Sequence, residues 1–321
     1  MTPHSATYKH LFGPVPSRRL GWSLGVDLTP AKTCTLDCVF CQLGRTTVKT
    51  TERRDYVSAE EVMGELADWL RRGGSADYIT LAGSGEPTLH RQFGAIIERT
   101  RALTTIPVAL LTNGTLLHLP EVRRAAGKAD VVKVTLAAPD ETLFGQIHRP
   151  CQGVTLEQVL EGGRLLRAEF TGQLWLEIFL LWGVNTTGAE VARLATLARE
   201  LRPDRVHLNT CVRPPAEDFV QAVPAERLAE LALLFDPLAE VIAESAAAGV
   251  ARARLTEEAL LALLQRRPCT AGDLGKLFGL HANETAKYVG RLLRTHRICS
   301  ERRESGVYYV ATAESPAAAR G

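Results

Sequence analysis

Residues 23–41 read SLGVDLTPAKTCTLDCVFC, and this stretch decides the fold. Its first six residues, 23–28, are an apolar run with the composition of a buried β-strand, and the remainder is a loop carrying Cys34, Cys38 and Cys41. Soft thiolates gathered this tightly select iron–sulfur clusters or zinc. A structural zinc site takes four ligands, usually from two knuckle pairs, and no second pair or nearby histidine accompanies this loop. Three thiolates on a four-iron cube would leave one iron open to a small chelating molecule.

Five further apolar runs follow, at residues 78–82 (YITLA), 107–111 (PVALL), 131–136 (VVKVTL), 174–181 (LWLEIFLL) and 205–209 (RVHLN). Amphipathic helical stretches separate them, including one at 58–72 that opens with Ser58 and Glu61 in capping-box spacing and one near 91–101. Six strand–turn–helix units predict parallel strands with right-handed crossovers. Periodicity allows either an open doubly wound sheet or a barrel-like one. In both, the cysteine loop and residues 83–87, 112–114 and 209–213 follow strands and would converge on the carboxyl rim.

The chain has 321 residues, 45% apolar and 23% charged, and needs no disulfides to bury a core. Its formal net charge of +2 is too small to imply a nucleic-acid partner by itself. Residues 1–15 lack the apolar run of a signal peptide, and no 18-residue apolar stretch follows. The sequence therefore predicts a cytoplasmic protein with no membrane contact.

The C-x-x-x-C-x-x-C loop resembles that of the radical S-adenosylmethionine superfamily over residues 11–215. The resemblance implies an α/β fold, a partial (β/α)6 TIM-like barrel. It also implies a 4Fe-4S cluster on Cys34, Cys38 and Cys41, S-adenosylmethionine on the open iron, and a reductant such as flavodoxin or ferredoxin. One electron would cleave S-adenosylmethionine to methionine and a 5′-deoxyadenosyl radical that acts on a substrate. Phe40 falls where the superfamily places an aromatic near the adenine.

Gly83-Ser84-Gly85-Glu86-Pro87 resembles the superfamily's glycine–glycine–glutamate element, with Ser84 in place of the first glycine. Gly85 would let the backbone approach the ligand, and a carboxylate or carbonyl at Glu86 would accept from its ammonium. Leu111-Thr112-Asn113-Gly114 resembles another superfamily turn, and is also an ordinary Asn-Gly turn. Lys133 and Thr135 are expected to face the cofactor, although relatives carry an acidic residue where Ala137 stands. Glu177 amid an apolar run needs a partner, which is a cofactor, a substrate or a structural ion pair. Asn209 is a lesser candidate of the same kind. A narrower resemblance, at residues 12–21 and Gly25-Val26-Asp27, is to a branch labelled iron–sulfur oxidoreductase and related to wybutosine-type enzymes. Arg18 and Arg19 there would hold an anionic group or form surface charge beside a proline turn.

Cys151, Cys211, Cys269 and Cys299 are too scattered for an auxiliary cluster, and His10, His118 and His148 lack metal-ligand spacing. After Arg213-Pro214-Pro215, residues 224–249 read as helical. Helices at 256–266, 270–278 and 282–295, then a hairpin of 298–300 and 307–310 about residues 304–306, predict a winged helix-turn-helix. The domains are therefore 1–250 (barrel, with a helical extension at 216–250) and 251–321. Lys287, Arg291 and Arg294 share one helical face and point to nucleic-acid or peptide contact. The rival to an enzyme is an iron–sulfur redox- or metal-sensing DNA-binding regulator.

Overall fold

The computed structural model describes residues 8–242, 257–265, 268–278, 282–303 and 306–312. Eight strands form one sheet in the order β1-β2-β3-β4-β5-β6-β7-β8. They are β1 (Leu11–Ser17), β2 (Gly21–Val26), β3 (Tyr78–Leu81), β4 (Val108–Thr112), β5 (Val131–Leu136), β6 (Gln173–Leu180), β7 (Arg205–Thr210) and β8 (Glu240–Val241). From β2 to β8 every neighbouring pair is parallel, while β1 runs antiparallel to β2. Strands β2 to β7 are the six expected apolar runs.

Helices α1 (Ala59–Arg71), α2 (Phe93–Leu103), α3 (Pro120–Ala126), α4 (Glu141–His148), α5 (Leu156–Glu169) and α6 (Gly188–Leu201) alternate with these strands. Val62, Leu66, Ile96, Ile97, Leu160 and Leu194 are buried with strand residues Val26, Ile79, Leu110, Val132 and Leu176 in one core. A parallel sheet covered this way hides both faces, which is why its strands read as unbroken apolar runs. Ser58 caps α1 by accepting from the Glu61 amide (3.3 Å). Glu61 does not complete the capping box: its carboxylate lies against His10 Nε2 (3.2 Å). Ser58→Ala is expected to lower stability by about 1 kcal/mol, read as a lower urea midpoint with unchanged slope.

Two edges depart from expectation. Residues 11–17 form a strand, although Gly13, Pro14 and Pro16 read as a turn; prolines are tolerated on an edge, and the register slips between Phe12 and Val15. Of the helical stretch expected over 224–249, the described residues are helical at α7 (Ala225–Ala232) alone. Asp236-Pro237 precedes β8, and residues 243–249 lie outside the described residues.

Three more helices, α8 (Glu257–Leu264), α9 (Ala271–Phe278) and α10 (Ala282–Arg294), accompany a small sheet of β9 (Cys269–Thr270), β10 (Ile298–Arg303) and β11 (Gly306–Ala311), in the order β9-β11-β10. Leu260, Leu264, Leu274, Val289, Leu292 and Ile298 give this unit a core of its own, and Val15 of β1 packs against it. The hairpin expected at its end is present as β10 and β11, with residues 304–305 outside the described residues.

Candidate active site

The cysteine loop leaves β2 and is tied down on three sides. Thr33 and Cys34 pair in parallel with Val48 and Lys49. The Asp37 carboxylate accepts from the Thr46 amide (2.7 Å), while buried Leu36 and Val39 anchor the loop beneath. On the far side the amides of Asp37 and Val39 donate to the carbonyls of His148 and Ile147, both at 2.9 Å, and the Cys151 amide donates to Thr35 O at 2.9 Å. The last carbonyls of a helix have no partner within it, so the end of α4 and the cysteine loop satisfy each other.

The thiols of Cys34, Cys38 and Cys41 are half-buried and electrostatically within reach of one another. Burial, then the neighbouring Glu86 charge, pushes the Cys34 thiol up to about 12. Burial and the other two thiols raise Cys38, and burial raises Cys41. Such thiols become thiolates only against a compensating cation. Among the described residues, no three His, Cys, Asp or Glu side chains converge tightly enough to share one ion. Three soft donors on one loop fit an iron–sulfur group.

Gly85 closes the loop after β3 onto the cysteine loop. A β-carbon there would stand 1.9 Å from Thr33 O, so its bare face meets backbone beside Cys34. Gly85→Ala is expected to displace Thr33 and Cys34, lower the melting temperature and reduce bound iron after reconstitution; iron analysis beside thermal unfolding checks it. Ser84, where a glycine was expected, hydrogen-bonds Asp27 through its hydroxyl (2.5 Å) and amide (3.0 Å).

The Glu86 carboxylate is fully engaged. It accepts from Thr88 Oγ1 (2.6 Å), Thr88 N (3.1 Å), Thr112 Oγ1 (2.6 Å) and Asn113 N (2.8 Å). Burial raises its pKa despite these bonds. Glu86 thus fastens the loops after β3 and β4 together. Asn113 is more than a turn residue: its Nδ2 donates to Thr35 Oγ1 (2.9 Å) and lies 3.5 Å from Cys34 Sγ.

Inside the sheet the interior-facing side chains stack in layers. Leu20, Ala109, Val131 and Trp175 form an apolar layer. Thr135 and Glu177 are opposite one another in register, and Glu177 is opposite His207. Glu177 accepts from Lys133 Nζ (2.6 Å), Thr135 Oγ1 (3.2 Å), Asn209 Nδ2 (2.9 Å) and the Arg19 guanidinium. Burial alone would raise its pKa, but Arg19 and Lys133 hold its carboxyl well below the usual range. Arg19 is therefore neither surface charge nor free for an external anion, because the turn between β1 and β2 carries it into the barrel. Arg18 donates to the Ile242 carbonyl (3.1 Å), linking that turn to the opposite edge of the sheet. Asn209 Oδ1 and His207 Nδ1 are buried without a hydrogen-bond partner, and burial pushes His207 down to about 4.

Above this layer Phe40 stacks on Phe179, with ring centroids 4.1 Å apart, among Val39, Ala137, Leu181 and Cys211. Asn185, unremarked in the sequence, bridges the ends of β5 and β6 by donating to the carbonyls of Ala137 (2.6 Å) and Phe179 (3.0 Å). His148, which reads as an ordinary histidine in the sequence, has its Nδ1 3.1 Å from Cys38 Sγ, and burial pushes its imidazole down to about 4. Cys211 donates to its neighbour Arg213 O (3.2 Å), and Cys269 lies in the C-terminal core. A cleft of about 370 Å³ separates the rim from the C-terminal unit, bounded by Lys32, Gln42, Pro214, Gln265, Glu301 and Arg303. Among the described residues no helix is long and apolar enough to cross a membrane.

A parallel sheet alternating with helices thus carries three thiols on one loop at its carboxyl rim. The family model of the Radical SAM superfamily matches residues 28–198. The UPF0026 protein of Methanocaldococcus jannaschii is 34% identical over 229 residues, 71% of this chain and 71% of that protein. A protein named GTPase Obg from Brachyspira hyodysenteriae is 32% identical over 297 residues, 91% of this chain but 44% of that protein's length. A radical SAM methyltransferase from Sphaerobacter thermophilus superposes with a TM-score of 0.52 at 20% identity, covering 68% of this chain and 65% of that one. TYW1 with a lysine–pyruvate adduct bound superposes with a TM-score of 0.50 at 15% identity, covering 71% and 76%. The two superpositions define the fold alone. The chain belongs to the radical SAM superfamily and, with its M. jannaschii relative, to the UPF0026 family. Members of the superfamily are enzymes that use a 4Fe-4S cluster and S-adenosylmethionine.

Proposed function

We propose that Cys34, Cys38 and Cys41 hold the 4Fe-4S cluster, and that the chain cleaves S-adenosylmethionine reductively to act on a further substrate. The observation that supports this reading is the fastening of the cysteine loop, with its three buried thiols, to α4 and to the loops after β3 and β4. When bound, the cluster and S-adenosylmethionine supply a one-electron cleavage of the sulfonium to methionine and a 5′-deoxyadenosyl radical. Asn113 orients Cys34, Gly85 and Glu86 hold the neighbouring loops in register, and Phe40 with Phe179 offers an apolar face to an adenine. Lys133, Thr135, Glu177 and Asn209 form the polar floor of the site, and the unpaired Asn209 Oδ1 is the acceptor left for a bound N–H or O–H group. A low-potential reductant such as flavodoxin or ferredoxin would deliver the electron.

Residues 251–321 are read as a winged-helix domain following the barrel domain of 1–250. Lys287, Arg291 and Arg294 on α10 are exposed, which favours an anionic partner such as nucleic acid over a peptide. A DNA-binding regulator gains no support, since the superfamily match covers the enzyme portion. The GTPase name of one relative is not carried over. Gly127-Lys128 and Gly275-Lys276 both lack the following serine or threonine of a phosphate-binding loop. The test is anaerobic reconstitution with iron and sulfide, then incubation with dithionite and S-adenosylmethionine. Methionine and 5′-deoxyadenosine are expected in equal amounts, and their absence from cluster-loaded protein refutes the reading.

A further inference from the structure

His148 closes α4 directly beneath the cysteine loop. Its carbonyl and that of Ile147 receive the amides of Asp37 and Val39, the residues on either side of Cys38. Two aromatic rings pack against the imidazole: the Phe40 ring meets it edge-on at 5.6 Å, and Phe144 lies 5.1 Å away at a tilt. This places Nδ1 3.1 Å from Cys38 Sγ. A thiolate bound to iron carries no hydrogen, so a hydrogen bond across that gap requires the proton on Nδ1.

We propose that His148 is a positioning residue which donates Nδ1–H to the Cys38 thiolate and thereby raises the reduction potential of the cluster. The inference rests on the cluster assignment above. A hydrogen bond to a ligating sulfur draws electron density from the cluster and favours its reduced, more negative state. Sequence alone does not give this contact, since 110 residues separate the two side chains. The same hydrogen bond fixes the rotamer of the middle ligand of the loop. A merely structural histidine would fill the space between Phe40 and Phe144 without altering the electronic state of the metal.

The test is a redox titration of the reconstituted protein followed by electron paramagnetic resonance. His148→Leu removes the donor, whereas His148→Asn keeps an N–H near the Nδ1 position. At a fixed potential, the reduced-to-oxidised ratio of His148→Leu is expected to fall about tenfold, a shift of about 59 mV for a one-electron couple. His148→Asn should lie closer to the native potential. A native potential in His148→Leu overturns the proposal. Should His148→Leu hold no iron, native protein labelled with 15N-histidine decides instead. Electron–nuclear double resonance of its reduced cluster should show a histidine nitrogen coupling, and no coupling overturns the proposal. Native protein without any four-iron signal would bring down the cluster assignment itself, a result distinct from a loaded cluster indifferent to His148.

Discussion

Cys38→Ala protein, reconstituted anaerobically with iron and sulfide, is expected to show no stable four-iron absorption and to release 5′-deoxyadenosine only at background. Cys34→Ala and Cys41→Ala should behave alike. The three thiols share one loop, and each of their thiolates is unfavourable in its buried setting without metal. Metal binding offsets that penalty only when all three act together, so loss of one ligand removes far more than a third of the affinity. The fold should survive, because Leu36, Val39 and the backbone bonds to Ile147 and His148 anchor the loop independently of sulfur. Unchanged far-ultraviolet circular dichroism with lost iron checks the expectation. Native iron content in any of the three variants contradicts the ligand set.

Glu177→Ala should be the most destabilising single change in the barrel, at about 3–5 kcal/mol. Lys133 and Glu177 are both buried, and Arg19 approaches from the β1–β2 turn. Removing the carboxylate leaves two cations facing each other in a low-dielectric interior and strips the Asn209 amide of its acceptor. Replacing Arg19, Lys133 and Glu177 together by apolar side chains of similar volume should recover much of the loss, because desolvation of the ions disappears with them. The pH dependence has a defined sign. Glu177 is held below its unfolded value, so its contribution is complete above about pH 4.3 and declines as pH falls towards the depressed folded value. The stability gap between native protein and Glu177→Gln should therefore narrow only below about pH 4.3. Chemical unfolding at several pH values measures it, and a constant gap would show that the charge is not what matters.

The parts of this molecule legible in its sequence are those set by local pattern. Strands β2 to β7 are buried on both faces and so announce themselves as apolar runs, and the cysteine loop is recognisable because its ligands are adjacent. Strand β1 was hidden by Gly13, Pro14 and Pro16, which an edge tolerates and a central strand would not. Strand β8 has only two residues, too few for any periodicity. Glu177 stood out as a charge in an apolar run, yet its principal partner, Arg19, lies 158 residues away. Glu86 illustrates the reverse: its place in the motif was evident, but the four hydrogen bonds its carboxylate accepts from Thr88, Thr112 and Asn113 were not. His148 and Asn185 act through contacts that only the folded chain creates.

Electron paramagnetic resonance of the reduced, reconstituted protein with and without S-adenosylmethionine tests the central claim most directly. With Cys34, Cys38 and Cys41 on three irons, the fourth iron is open, and S-adenosylmethionine should shift the signal of the reduced cluster. A four-iron spectrum indifferent to S-adenosylmethionine, or one showing a fourth protein ligand on the cluster, would contradict it.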